Sequence, residues 1–438
     1  MSKPTIAIMW HRRDLRLHDN AALYYALKAG RPVLPLFIFD KDILDHLDDR
    51  RDRRVEFIYK EVLKLQDALQ KMGSSLLVRY GRPLEIFREL TQEYDIANVF
   101  TNYDYETYGK GRDNEVATYL KTVDVGFHSY KDQTLLDRDE VLTGMGKPYT
   151  VFGPYSRNWL GKLADPFYLK SYPTEKYFDQ LVKTPPTPVV TLDDMGFEPL
   201  GENYPKPTVS AELLAAYQKM RDYPAERGTS ELGIHLRFGT ISIRDLARQA
   251  QETSLTFLSE LCWRDFYFQV LDHFPHVEQH AFRREYDAIK FLNRPEDIEK
   301  WQNGQTGYPL VDAGMRQLNE TGWMHNRVRM VVASFCIKHL LIDWRIGEAY
   351  FAKKLRDYDL SANNGGWQWA AGSGTDAAPY FRVFNPTAQA EKFDPKGTYI
   401  RRWVPEYNSL NYPTPMIDHA FARQRVVEVY KEGLAKKE

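Results

Sequence analysis

With two cysteines in 438 residues, the chain is not a disulfide-stapled scaffold and has no paired-cysteine spacing for a zinc site. Cys262 and Cys336 stand in apolar helical contexts, so both are expected to be reduced core thiols. Long hydrophobic runs are missing as well. The longest, such as VVASFC after Met330, is far too short to span a bilayer. The N-terminal MSKPTIAIMW has no signal-peptide apolar core or cleavage site, which makes a cytoplasmic protein without a membrane anchor the expectation. Neither sign of charge is in excess: 59 Lys+Arg against 60 Asp+Glu give a formal net charge of -1. That excludes a globally basic, histone-like binder but leaves room for a local basic surface. Phosphate-cradling signatures are absent too. No G-x-G-x-x-G or G-x-x-x-x-G-K-[ST] occurs, and GKGRDN at 109–114 fails at its third glycine, so a dinucleotide on the first domain is not supported.

What is present is an ordinary globular composition, 43% hydrophobic and 27% charged, in a chain long enough that two domains are expected. The tryptophans are unevenly placed. Seven of the nine (Trp263, Trp301, Trp323, Trp344, Trp367, Trp369 and Trp403) lie in the second half.

The first part alternates short apolar runs (TIAIMW, PVLPLFIF, SLLVRYG, ANVFTN) with helical patterns such as RRVEFIYKEVLKLQDALQKMG. This predicts a doubly wound parallel sheet with helices on its faces over 1–130. Residues 131–205 have little periodicity and contain the proline-rich KTPPTPVV, the pattern of an interdomain linker. From Ala211 the spacing is helical almost throughout, so 206–438 reads as an all-α domain.

Four passages in that domain put polar and aromatic residues where a plain core would want Leu or Ile. RDYPAERGTSELGIHLRFG offers Gly228, Thr229 and Ser230 at a helix start, which suits an anion or simply a cap. ELCWRDFY places Glu260, Trp263, Arg264 and Tyr267 on one helix face, and the plain reading is an i,i+4 ion pair between Glu260 and Arg264. In GWMHNRVRMVVASF, Asn326, Arg327 and Met330 share a face, with Arg329 turned elsewhere. LRDYDLSANNGGWQWAAGSGTDAAPYF sets Asp357, Asp359 and Asn363 beside Trp367 and Trp369, with Gly365-Gly366 allowing close approach. Such polar groups need partners, which a planar heteroaromatic ligand or an Arg329–Asp357 ion pair would supply.

At these residues the sequence resembles the photolyase/cryptochrome family, most of all the bacterial class I cyclobutane pyrimidine dimer (CPD) DNA photolyases. The similarity runs from WHRRDLRLHDNAAL through TGYPLVDAGMRQLNETGWMHNRVRM to DLSANNGGWQWAAGSGTDAAPYFRVFNP. It implies an N-terminal α/β domain, a long linker and a helical FAD-binding domain, and a light-driven lyase that repairs UV-damaged DNA. Carried over by position, Tyr217, Thr229, Ser230, Glu231, Leu232 and Gly233 match the segment around the FAD phosphates and ribitol. Arg264, Tyr267, Arg329, Asp357, Asp359 and Asn363 match the remaining FAD contacts. Asn363 stands where plant cryptochromes resemble the motif with Asp, and Asn suits a flavin kept reduced. Glu260, Trp263, Asn326, Arg327, Met330 and Trp369 match the pocket for a flipped dimer. Asn326 and Met330 replace the two histidines of the (6-4) pattern, and Arg327 and Arg382 match cations on the DNA strand.

Of the family's usual three-tryptophan reduction chain, Trp367 and Trp344 are matched, but the outermost position is Phe291. Trp301 or a nearby tyrosine could bypass it, although packing is the simpler role for Trp301. Tyr108 and Gly109 stand where folate-using relatives carry Asn and Glu. A folate antenna is therefore not expected, and a deazaflavin, a flavin or no antenna all stay open. His11, where Phe is common, reads as a loop or core residue. The alternative reading is a blue-light signalling cryptochrome with bound FAD, which the short basic tail KEGLAKKE disfavours. A monomer is expected.

Overall fold

In the computed structural model, which describes residues 4–435, all six residues of IAIMWH (β1, Ile6–His11) and all eight of VLPLFIFD (β2, Val33–Asp40) are buried. Continuous apolar runs of this kind are what a parallel strand covered on both faces requires. With β3 (Leu77–Gly81), β4 (Ile96–Asn102) and β5 (Gly126–Tyr130) they form one parallel sheet of order β3-β2-β1-β4-β5. Alternate side chains feed two cores: Ala7, Met9, Val33 and Phe37 pack on one face, and Ile8, Trp10, Leu34 and Leu36 on the other. The chain starts mid-sheet and winds outward in both directions, the doubly wound topology expected.

Contacts divide the chain into two compact units. The first runs to Asp137 and includes Gly161–Thr208 and Leu232–Gln249; the second takes Arg138–Leu160, Val209–Glu231 and the described chain from Ala250 onward. The stretch 131–205 is shared between them and is less featureless than its composition suggests. It includes the helix Phe152–Leu163, while KTPPTPVV is extended and pinned by the Gln66 amide on the Thr187 carbonyl (2.9 Å). His11 is fully buried at the end of β1, a core position. The last three residues of the basic tail lie outside the described residues, and no helix among them is long and apolar enough to cross a membrane.

The second unit is helical, and side-chain caps set its register. Ser254 caps Leu255–His273, His325 caps Asn326–Ser334, Asp343 caps Trp344–Lys354 and Asp359 caps Leu360–Ala371. Each accepts a backbone N–H that would otherwise be orphaned. Gly372, at φ 85°, ends the last of these in a left-handed turn. Trp301, Val331, Val332, Trp344 and Trp367 lie in one buried core between them. Cys262 and Cys336 are buried and free.

Candidate functional site

Three helical segments open a cavity of about 360 Å³ inside the second unit. Leu255–His273 contributes Glu260, Trp263 and Tyr267, and Asn326–Ser334 contributes Asn326, Arg329 and Met330. Asp357 and Asp359 lie just before the helix Leu360–Ala371, which contributes Asn363, Trp367 and Trp369. The spacing i, i+3, i+4 puts Asn326, Arg329 and Met330 on one face. This corrects the expectation that Arg329 turns away.

One wall is polar and held in place. The Arg329 guanidinium donates to both Asp357 oxygens (2.9 and 3.1 Å), the ion pair expected. Asn363 gives its amide N–H groups to Glu348, at the carbonyl (3.2 Å) and the carboxylate (2.8 Å). The Asn363 carboxamide oxygen has no donor among the described residues. Burial pushes the Glu348 carboxyl upward, opposed by hydrogen bonds from Asn363 and Tyr358. Trp367, Phe351 and Leu355 form the apolar floor.

The two glycines have separate uses. A Cβ on Gly365 would strike the Tyr267 ring, so the absence of a side chain lets two helices close up. Gly366 lines the cavity, and a Cβ there would meet nothing within 4 Å. The space beside Gly366, Asn363 and Trp367 is therefore real room, with a hydrogen-bonding edge and an aromatic floor. This fits an isoalloxazine.

The mouth is aromatic and acidic. Trp263 lies flat on Phe152, with centroids 3.6 Å apart and planes within 7°, which fixes the indole while it lines the cavity. Glu260 accepts from Arg221, not from Arg264 as the local i,i+4 reading expects; the Arg264 guanidinium instead lies over Phe268 at 4.6 Å. Burial raises the Glu260 carboxyl and Arg221 opposes it. Arg221 has no local sequence signal beyond a charge in RDYPAERGTS.

Other expected site residues lie off this cavity. Arg327 pairs with Asp222 (2.8 Å), stacks over Phe393 (4.4 Å) and lines an adjoining cleft with Met330, Trp369 and Arg382. Tyr217 sits behind Arg221, whose guanidinium covers its ring at 5.6 Å. Thr229 and Ser230 lie in irregular backbone rather than at the helix start expected, which falls at Gly233; the segment leads to Glu231, which adopts φ 53° and pairs with Arg356 at 2.8 Å. Leu232 is buried as the cap residue of Gly233–Phe238. Trp344 and Trp367 are buried in one core with fully buried Trp301, and Phe291 packs against it from a half-buried position. On the first unit, the Tyr108 hydroxyl donates to Asp40 (2.7 Å), and Gly109 packs against Asp104.

A doubly wound sheet unit and, in the same chain, a helical unit that holds this cavity are together the mark of the photolyase/cryptochrome class. A family model described as the FAD binding domain of DNA photolyase matches residues 257–411, and one described as DNA photolyase matches 7–174. The deoxyribodipyrimidine photo-lyase of Synechococcus sp. is 37% identical over 97% of this chain and 96% of its own length. That of Escherichia coli is 37% identical over 98% of each. Among solved structures, a class III photolyase from Agrobacterium tumefaciens has a TM-score of 0.87 at 32% identity, covering 100% of this chain and 99% of its own. An archaeal photolyase from Sulfolobus tokodaii, solved with two FAD molecules, has a TM-score of 0.81 at 32% identity, covering 98% and 100%. The chain belongs to the DNA photolyase family.

Proposed function

We propose that this protein holds FAD in the Asn363–Trp367 cavity and uses light to split cyclobutane pyrimidine dimers in UV-damaged DNA. The observation that carries the reading is the continuity of one open cavity from Asn363, Gly366 and Trp367 to Glu260, Trp263 and Trp369. A cofactor at the floor would face a base pair's worth of aromatic walls at the mouth. When bound and reduced, the flavin supplies one photoexcited electron that opens the cyclobutane ring and then returns.

The protein's share is position and electrostatics. Asp357, held by Arg329, and Asn363, held by Glu348, offer fixed partners for the flavin edge. Thr229, Ser230, Glu231, Leu232, Gly233, Tyr217, Arg264, Tyr267 and Asp359 complete its surroundings in this reading. Trp263 and Trp369 stack on the everted dimer, Glu260 and Asn326 bond its pyrimidine edges, and Met330 fills the wall. A dimer pairs poorly in the duplex, so everting it costs less than everting a normal base, and stacking offsets part of that by about 1–3 kcal/mol per base. Arg327 and Arg382 hold flanking phosphates. Trp367 and Trp344 are the electron-relay residues, with Phe291 at the position usually Trp. Tyr108, committed to Asp40, argues against a folate antenna of the Asn-Glu type.

The protein acts as a cytoplasmic monomer in this reading. Titrating the FAD-loaded protein with dimer-containing and undamaged oligonucleotides tests the assignment. Tighter binding of the damaged strand is expected, and equal binding of the two would refute it.

A further inference from the structure

Arg382 lines two clefts. One, shared with Arg327, Lys219 and Lys392, borders Met330 and Trp369 at the cavity mouth. The other, about 400 Å³, lies between Phe381 and Arg382 on one side and His419 and Arg423 of the His419–Ala435 helix on the other. The repair reading uses only the first.

Neither Arg382 nor Arg423 has a carboxylate partner among the described residues; Arg382 approaches only the Phe384 ring, at 5.8 Å. The nearby acid, Asp418, is engaged at the helix start, accepting the Phe421 backbone N–H at 2.8 Å. His419 shares a hydrogen bond with buried His339 (2.9 Å), and burial together with Arg423 lowers its pKa, so it adds a neutral polar edge. Phe381, which lines the cleft, stands 58% exposed. Uncompensated cations beside a water-exposed ring are the composition that receives a nucleic-acid strand.

The loop carrying Arg382 is held from beneath. Lys338, 1% exposed within the π-helical turn Phe335–His339, donates its ammonium to the Arg382 carbonyl oxygen at 2.8 Å. That is its single hydrogen bond among the described residues, and no carboxylate answers its charge. A buried cation so poorly compensated is costly to keep, and π turns often mark functional places.

We propose that the cleft between Arg382 and Arg423 is a second phosphate-binding site for the DNA whose lesion occupies the cavity, with Lys338 as the positioning residue that fixes Arg382 between the two clefts. The proposal rests on the repair reading. It extends the DNA track beyond the dimer along the His419–Ala435 helix.

The test measures binding of FAD-loaded protein to a dimer-containing duplex that extends well beyond the lesion, and to a dimer-containing oligonucleotide of a few nucleotides. Salt is varied between about 50 and 200 mM. Arg423→Ala is expected to weaken the long duplex about three- to tenfold and to lower the slope of log affinity against log salt by about one. The short oligonucleotide should bind as before. Lys338→Met should lower the salt slope on the long duplex likewise and, by loosening Arg382 at the flanking phosphates, also weaken the short oligonucleotide, with flavin absorbance intact, which a general folding defect would not permit. Unchanged salt slopes in Arg423→Ala overturn the cleft, and a wild-type slope in Lys338→Met overturns the positioning role. Loss of preference for damaged over undamaged DNA in the wild type would instead sink the repair reading itself.

Discussion

Arg221 donates to the Glu260 carboxylate at the cavity mouth while its guanidinium covers the Tyr217 ring, so a single cation spans two segments far apart in sequence. Burial pushes Glu260 toward its neutral form, and Arg221 is the principal group resisting it. Arg221→Met should therefore raise the pH at which Glu260 takes up a proton. Difference infrared spectroscopy of the carboxyl stretch over a pH titration checks this, and an unmoved midpoint would show that Arg221 does not control the charge.

In the proposed function the two indoles stack on the dimer. Trp263→Ala and Trp369→Ala should each weaken binding of a dimer-containing oligonucleotide by about 1–3 kcal/mol, roughly 5- to 150-fold, while binding of undamaged DNA changes little. Trp263→Ala also uncovers Phe152, so Phe152→Ala should show a smaller loss of the same kind through a looser indole. Anisotropy titrations read both.

In the proposed electron relay Phe291 takes the outermost position, and phenylalanine is much harder to oxidise than tryptophan. Light-driven reduction of the oxidised protein should be slow, and Phe291→Trp should accelerate it while leaving dimer splitting by chemically reduced protein unchanged. Absorbance of the bound flavin under illumination with a thiol donor is the measurement. No acceleration would mean that electrons leave the Trp344 core by another route.

His325 caps the helix carrying Asn326, Arg327 and Met330 by accepting the Arg327 N–H on Nδ1 (3.1 Å), which requires a neutral ring. Burial lowers its pKa to about 4. The unfolded chain binds a proton near pH 6.5 and the folded one only near 4, so folding stability is full above that window and is lost as pH falls through it. The loss is about 3 kcal/mol at most, from about 1.4 kcal/mol per pH unit. His325→Asn retains a capping side chain that does not titrate, and its denaturant midpoint should fall less than that of the wild type between those pH values.

The sheet was legible because β1 and β2 are unbroken apolar runs, a signal that does not depend on partners. β5, GFHSY, was not: as an edge strand it is half exposed and carries no apolar run. The helix Phe152–Leu163 hides for a similar reason, its Gly153-Pro154 start reading as a loop. The cavity residues were legible where helical spacing alone places them on a face. Pairings across the fold were partly so. The Arg329–Asp357 pair could be anticipated from two charges needing partners, whereas local spacing suggested Arg264 for Glu260 and gave no hint of Arg221 or of Glu348 behind Asn363. Those partners are chosen by tertiary packing, which periodicity does not encode.

The most direct test irradiates dithionite-reduced, FAD-loaded protein with a thymine-dimer oligonucleotide and follows absorbance at the thymine band. Recovery of that absorbance in light but not in darkness, abolished in Trp263→Ala/Trp369→Ala protein that still binds flavin, is the predicted result. Intact flavin and bound DNA with no recovery under illumination would contradict the account.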